Sequence, residues 1–179
     1  MVQTKTDNSF IKLKIDLRIS HLPSGDLRVL DCFAGSGKIW RSIKKRTGRN
    51  IKILPIDLRK DIGFHLSGDN LDYLISLDLT KFEVVDLDAY GVPVEQLKVL
   101  FDSGYKGTVF VTMIQSIFGR MPNDLLIQVG FTEEMINKTP TLFGRRGWEY
   151  FKQYLSGNGV QKIWHYSKDD KHYLCFNVE

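Results

Sequence analysis

The chain predicts an α/β fold with a ligand seat at the carboxyl end of its first strand, and three observations carry that prediction. Residues 27–37 read Leu-Arg-Val-Leu-Asp-Cys-Phe-Ala-Gly-Ser-Gly, a buried strand running straight into a glycine turn. Residues 51–57 form a second apolar run that closes on an acid, Asp57. Residues 82–91 repeat the theme, carrying Val84 and Val85 into Asp86, Asp88, Tyr90 and Gly91. Apolar runs of this kind are what strands covered on both faces look like. Strand, glycine turn and helix in that order open the α/β units in which a ligand lies beyond the first strand.

The 179 residues, 42% of them hydrophobic, suffice for one sizeable core, and a single domain over residues 1–179 is expected. No apolar run approaches the roughly 20 residues that span a bilayer, and the first residues lack the apolar core of a signal peptide. A soluble, intracellular protein of the cytoplasm is the expectation, without a membrane partner. Cys32 and Cys175 lie in separate apolar segments, so buried thiols are expected rather than a disulfide or zinc site. The four histidines are scattered without metal-ligand spacing, and no metal is expected. The net charge of +4 permits a nucleic-acid partner. Seven Lys and Arg residues between Lys38 and Lys52 form either a solvated helix face or a phosphate-binding track.

In chain order, residues 1–9 form a polar tail expected to be disordered, and residues 10–26 an N-terminal extension. Within it Ile11, Leu13, Ile15, Leu17 and Ile19 alternate with polar residues, a period of two that predicts a half-buried edge strand. Residues 22–25, Leu-Pro-Ser-Gly, make a turn. In the glycine turn, Gly35 and Gly37 let the backbone bend sharply and approach a ligand. The helix that follows buries Ile39, Trp40 and Ile43 and stops at Gly48. Beyond Asp57, residues 64–66 are either a cramped third strand or a loop. A helix with Leu71, Leu74 and Ile75 follows, then the strand ending near Asp88. Next come a helix with Val94, Leu97, Leu100 and Phe101 inward, and a strand over residues 107–113. Residues 114–122 are a loop bordering the site. A short helix carries Leu125, Leu126 and Val129, and after a break at residues 139–141 another carries Trp148, Phe151 and Leu155, with Trp148 read as core. Residues 160–167 and 172–178 close the chain as an antiparallel hairpin.

Asp57, standing beside the glycine turn, suits acceptance of both hydroxyls of a ribose, or caps the turn that follows. Asp69 suits an adenine amino group, a helix cap, or both. Gly-Ser-Gly-Lys at residues 35–38 is not a P-loop, because Cys32 fills the position of the first glycine and Ile39 that of the magnesium-binding hydroxyl. A dinucleotide-binding turn is also disfavoured, since Trp40 stands where its third glycine belongs.

Taken together, these residues resemble the class I S-adenosylmethionine-dependent methyltransferases over residues 27–178. The resemblance rests on the glycine turn, the acid ending the second strand, the Gly68-Asp69 pair, the run Asp-Leu-Asp-Ala-Tyr-Gly at residues 86–91 and the terminal hairpin. It implies a Rossmann-like, mostly parallel seven-stranded sheet with a C-terminal antiparallel hairpin and helices on both faces. Residues 86–91 are most similar to the Asp-Leu-Asp-Pro-Tyr/Phe-Gly motif of tRNA guanine-N2 dimethyltransferases, with Ala89 where that family has proline. The implied cofactor is S-adenosyl-L-methionine, bound by Asp31, Phe33, Gly35, Gly37, Asp57, Asp69 and Asp86. The implied catalytic group is Asp88, Tyr90 and Asp86. An exocyclic base amine is a poor nucleophile because its lone pair is delocalised, so a carboxylate that accepts its hydrogens can aim that lone pair at a sulfonium methyl. Asp88 is the expected acceptor and Tyr90 the stacking platform; otherwise the two acids cap the turn and Tyr90 fills core. The expected acceptor is RNA in preference to DNA. Arg145 and Arg146 either contact phosphate or flank a helix start. A partner subunit supplying substrate recognition is a further expectation. The competing readings are a catalytically inactive, methyltransferase-like nucleic-acid-binding or partner subunit, and a methyltransferase acting on DNA, protein or a small molecule.

Overall fold

The structure is a computed structural model describing residues 10–60 and 63–179; the expected tail at residues 1–9 lies outside the described residues. Seven strands form one sheet: β1 (Leu27–Asp31), β2 (Ile51–Asp57), β3 (Leu66–Ser67), β4 (Val84–Asp88), β5 (Gly107–Ile114), β6 (Ile163–Lys168) and β7 (Lys171–Val178). Their order is β3-β2-β1-β4-β5-β7-β6. The first five run parallel, while β7 pairs antiparallel with both β5 and β6. The fold class is therefore as expected, including the terminal hairpin, and the undecided third strand is two residues long.

Alternation along each strand divides the core between the two sheet faces. Val29, Val84, Phe110, Tyr173 and Cys175 face one side, where they pack with α1 (Ile11–His21) and α2 (Lys38–Thr47). Leu30, Val85, Leu87, Val109, Val111, Leu174 and Phe176 face the other. There they meet α3 (Asn70–Ser76), α4 (Val94–Asp102), α5 (Asn123–Val129) and α7 (Thr141–Gly157) through Leu74, Leu97, Leu126, Phe151 and Leu155. A six-residue helix, α6 (Glu133–Lys138), precedes α7 and has no counterpart in the expected elements. Residues 115–120, expected as loop, form a 3-10 helix at the end of β5.

The expected edge strand over residues 11–19 is α1, a helix, and the reason is tertiary. Five apolar residues spaced by two fit a strand, yet Leu13 is exposed and the buried positions are Ile15, Leu17 and Arg18. Ile15 and Leu17 pack the helix on the sheet, and charge sets where it sits. Lys14 and Arg18 lie one turn apart, about 6 Å along the axis. Asp86 and Asp88 lie two residues apart on β4, about 6.6 Å along the strand and on the same face. The spacings match with the helix antiparallel to the strand: Lys14 Nζ donates to both Asp88 oxygens at 2.7 and 2.9 Å. Arg18 Nε and a terminal nitrogen donate to the two Asp86 oxygens at 2.7 and 2.6 Å.

The Arg18–Asp86 pair is 1% exposed on each side, and Trp40 Nε1 on α2 adds a third bond to Asp86 at 2.7 Å. Removing one partner of such a pair leaves an uncompensated buried charge, whereas replacing both with apolar groups of similar volume does not. Arg18→Met is expected to lower stability by about 3–5 kcal/mol in urea unfolding. Combining it with Asp86→Leu is expected to recover most of the loss, a coupling that the four-variant cycle measures.

Candidate functional site

In an open α/β sheet, ligands sit outside the carboxyl ends of the strands where strand order reverses. Here the chain proceeds from β1 outward to β2 and β3 and then returns to β4, so the reversal lies between β1 and β4. Asp31 and Asp86 are register partners at that point, and the Cys32 N–H donates to the Asp86 carbonyl at 3.0 Å. The glycine turn leaves from the same place. Ala34 N–H donates to the Ile56 carbonyl at 2.9 Å and Gly37 N–H to the Ala34 carbonyl at 2.7 Å, closing the turn. Gly35 and Gly37 both have positive φ, 51° and 67°. A Cβ on Gly37 would lie 2.9 Å from the Phe64 ring, itself covered by the Arg41 guanidinium, so the close neighbour of this glycine is the protein's own loop. Phe33 is half-buried against the core on the α4 side of the sheet.

Asp57 ends β2 beside the turn, as the expected α/β pattern requires. Its Oδ2 accepts the Gly35 N–H at 2.7 Å, and its Oδ1 accepts the Arg59 backbone N–H at 3.0 Å and Nε at 3.2 Å. The acid thus braces the glycine turn against β2. Asp69 caps α3 by accepting the Leu71 N–H at 2.9 Å, while its side chain stays exposed beside the site. The buried Asn70 next to it donates to the Cys32 carbonyl at 3.0 Å and accepts from Gln96 Nε2 at 2.9 Å, tying α3 and α4 to the glycine turn. Neither Asn70 nor Gln96 carries a sequence signal, because each acts through a single long-range bond.

Asp86 was expected at the cofactor and in catalysis, and the structure gives it another task. With Arg18 and Trp40 on its oxygens and 1% exposure, it secures α1 and α2 to β4 and presents nothing to a ligand. Asp88 is the outward member of the pair, 11% exposed at its side chain, held by Lys14 and by the Thr112 hydroxyl. Tyr90 is 69% exposed and fills no core. Its loop is pinned where Ile114 N–H donates to the Gly91 carbonyl at 2.8 Å. Lys14, Arg18 and Thr112 were all missed: the two cations would have been legible as an i, i+4 pair had residues 11–21 been read as a helix.

Three carboxylates therefore meet two cations at the β1–β4 reversal. Burial, then the charges of Asp86 and Asp88, push the Asp31 carboxyl well above the ordinary carboxylate range, against the pull of Arg18 and the Phe33 N–H. Burial also acts on Asp88, but Lys14 and Arg18 outweigh it and hold that carboxyl below its usual value. Cys32 and Cys175 are buried free thiols, both pushed up by burial.

On the other sheet face, at the hairpin, two of the scattered histidines meet. His165 Nε2 and His172 Nδ1 are 3.0 Å apart, Trp148 stacks on both rings, and His172 Nε2 reaches Gln115 Oε1 at 3.0 Å. Burial, then His165, pushes His172 down to about 4. Trp148 is thus half-buried on imidazoles, not on Phe151 and Leu155 alone. Among the described residues no group of three or more potential ligands could hold a metal, and no helix is long and apolar enough to cross a membrane.

No protein-family model matches the chain, and no curated protein matches it in sequence. Solved structures do match in fold. A SAM-dependent methyltransferase from Aquifex aeolicus aligns over 98% of this chain and 100% of its own, with a TM-score of 0.53 and 12% identity. The ribosomal protein L11 methylase of Lactobacillus delbrueckii subsp. bulgaricus aligns over 94% and 79%, at 0.53 and 14%. The T. thermophilus 16S rRNA N2 G1207 methyltransferase, solved with AdoMet and guanosine, aligns over 93% of this chain and 39% of its own, at 0.50 and 10%. The fold is that of the SAM-dependent methyltransferases.

The Asp31 environment makes a pH-dependent prediction. A carboxyl whose folded pKa is raised contributes stability that is fully present below its unfolded pKa, about 3.9, and is lost as pH rises through the folded value. Asn cannot ionise and keeps the shape. Asp31→Asn is expected to be more stable than wild type at pH 8, the difference growing by up to about 1.4 kcal/mol per pH unit above about pH 4. Denaturant unfolding at several pH values measures it, and a difference independent of pH would contradict the assignment.

Proposed function

We propose that the protein is an S-adenosylmethionine-dependent N-methyltransferase whose acceptor is an exocyclic amine of a nucleic-acid base, with guanine N2 in RNA as the favoured target. One observation carries the reading: a single nitrogen, Lys14 Nζ, donates to both oxygens of Asp88 at 2.7 and 2.9 Å. That is the contact an acceptor amine must make to have both hydrogens taken and its lone pair aimed. Asp88 stands at the carboxyl end of β4, next to the strand reversal, and the exposed Tyr90 beside it suits a base stacked at the mouth, a contact worth about 1–3 kcal/mol on other aromatic platforms.

The residues present fit the cofactor. Asp57 offers a carboxylate to its ribose, Asp69 an exposed oxygen to its adenine amine, and Asp31 lies in a cluster one positive charge short, where an ammonium group restores the balance. When bound, the cofactor supplies a methyl group on a cationic sulfur. The protein's part is positioning and electrostatics: Asp88 orients the amine, Thr112 holds Asp88 in place, the charge of Arg18 favours its ionised form, and Asp86 holds α1 and α2. Lys14 must yield or share Asp88 as the amine arrives; its long stem allows a swing away. Lys168, Lys171, Arg145 and Arg146 lie on the hairpin and the start of α7, suited to phosphate contacts around the mouth. A base inside a duplex would have to be flipped out at a cost of a few kcal/mol, which favours loops and single strands.

Since one structural neighbour is named for an rRNA guanine and another for a ribosomal protein, the fold leaves the acceptor open. A second reading, an inactive methyltransferase-like subunit, draws support from Lys14 itself, which fills the acceptor's place. Labelled cofactor incubated with separate pools of RNA, DNA and protein distinguishes these, with transfer to RNA expected and transfer to none favouring the inactive subunit. S-Adenosylhomocysteine at about 100 times its Kd is expected to add about 2.7 kcal/mol, raising Tm by about 5–10 °C. ATP and NAD are expected to leave Tm unchanged. Asp88→Ala is expected to abolish transfer and leave Kd for S-adenosylhomocysteine within about threefold; normal methylation by that variant would remove Asp88 from the site.

A further inference from the structure

The basic run over residues 38–52 is either a solvated helix face or a phosphate-binding track, and the partners of each cation decide which. Arg46 pairs with Asp16 on α1 at 2.8 Å, and Arg49 donates to the carbonyls of Pro23 and Gly25. Lys52 lies on β2 among Asp26 and Glu83, at the amino edge of the sheet. These three are absorbed by the fold. Lys38, Lys44 and Lys45 on α2 are exposed, and among the described residues none of them has a hydrogen-bond or ion-pair partner. Arg41 stands between them, its guanidinium over the Phe64 ring and one terminal nitrogen on the Ser36 carbonyl. At 3.6 residues per turn these four side chains span an arc of about 120° and about 10 Å of helix.

A solvated helix face is built differently in this protein. Lys98 has Asp102 one turn away on α4, Lys138 has Glu134 on α6, and Lys152 has Glu149 on α7. Opposite charges at that spacing stabilise a helix, and like charges destabilise it. No acid occurs in α2, so Arg41 has Lys38, Lys44 and Lys45 as its neighbours at three and four residues. Lys38 and Arg41 also fall in the first turn, where the helix dipole opposes a cation. Local energetics run against this face, and a polyanion laid along it would remove the conflict.

Placement on the sheet says which polyanion. From the glycine turn at the end of β1, beside β4, α2 runs back toward the amino edge on the sheet face to which Asp88 points. Its cations therefore lead away from the mouth of the site. Trp40 and Ile43 are buried and Ile39 is half-buried, so the face has no apolar residue to enter lipid. We infer that Lys38, Arg41, Lys44 and Lys45 form a track for the phosphate backbone of the RNA strand whose base reaches Asp88. The inference rests on the nucleic-acid reading above and deepens it by assigning one flank of the acceptor strand to α2. Phosphate contacts position a strand without reading its sequence, which leaves the choice of base to the mouth.

Anisotropy titration of a labelled single-stranded RNA of about 20 nucleotides, repeated between about 50 and 200 mM salt, tests the track. Each lysine–phosphate contact on a single strand contributes about 0.7 to the slope of log K against log salt. Combining Lys38→Gln, Lys44→Gln and Lys45→Gln is expected to flatten that slope by about 2 and to weaken binding about tenfold or more at the lower salt. Each single replacement is expected to give about a third of the change in slope. A control of equal charge, Lys81→Gln with Lys98→Gln and Lys138→Gln, is expected to keep the slope within about 0.5 of wild type. Because the α2 lysines repel one another, their replacement is expected to leave Tm without RNA equal or higher, which separates lost affinity from lost fold. An unchanged slope in the α2 variants, or equal flattening in the control, would overturn the track and leave the nucleic-acid reading standing. So would α2 variants that lose binding to phosphatidylserine vesicles while keeping that to RNA. Absence of RNA affinity in the unaltered protein would overturn the RNA acceptor and the track together, while titration with S-adenosylhomocysteine judges the cofactor separately.

Discussion

The charge ladder between α1 and β4 sets the terms for everything at the carboxyl edge of the sheet. A helix packing on a sheet normally does so through an apolar stripe. In α1 that stripe is thin, Ile15 and Leu17 with half-buried neighbours, and the remainder of the contact is Lys14 on Asp88 and Arg18 on Asp86. Buried ion pairs are weak sources of stability, since desolvation offsets much of the Coulomb gain, but they tolerate little displacement. The ladder therefore acts as a register device. It fixes where α1 sits along β4, and through Trp40 it fixes α2, whose first turn is the end of the glycine loop. A slip of α1 by one turn would move one cation onto the other's acid and leave the second β4 acid without a partner.

That constraint explains why the site has the charge it has. Asp31, Asp86 and Asp88 share the strand reversal with only two cations, and the raised Asp31 carboxyl expresses the imbalance. A cluster short of one positive charge is costly for the empty protein and favourable for a cationic ligand, the sign that the proposed cofactor carries. The same cluster favours the ionised form of Asp88, as the proposed role of amine acceptor requires, so the groups that hold the fold also set the chemistry of the outermost carboxylate.

Most of the sheet was legible because its strands are buried on both faces and announce themselves as apolar runs ended by acids and glycines. The glycine turn, Asp57 on β2, the capping role of Asp69, the exposed motif around Asp88 and Tyr90 and the terminal hairpin all follow from local pattern. The failures share one cause, which is that they depend on partners far along the chain. Residues 11–19 alternate as a strand would, and only the acids 68–74 residues away decide that they are a helix. Asp86 looked like a ligand residue because nothing local reveals Arg18. His165 and His172 looked scattered until β6 and β7 paired. For Asp57 the position was legible but not its partners, since no sequence pattern counts the hydrogen bonds a carboxylate has already accepted.

Hydrogen-bond counting of this kind also separates the two acids that the motif places side by side. Asp86 and Asp88 differ by one step along β4, point to the same face and are paired by cations on the same helix. Asp86 is satisfied by rigid partners, a guanidinium fork and an indole, both buried, so nothing can be exchanged there without loosening α1 and α2. Asp88 is satisfied by a hydroxyl and by an ammonium on a flexible four-carbon stem, at the edge of solvent. An ammonium on such a stem can be replaced by another N–H donor at little cost to the fold, because Arg18 alone continues to hold the helix. Two carboxylates of like chemistry thus take different roles through the stiffness of what binds them, and the exchangeable one faces the mouth where Tyr90 stands.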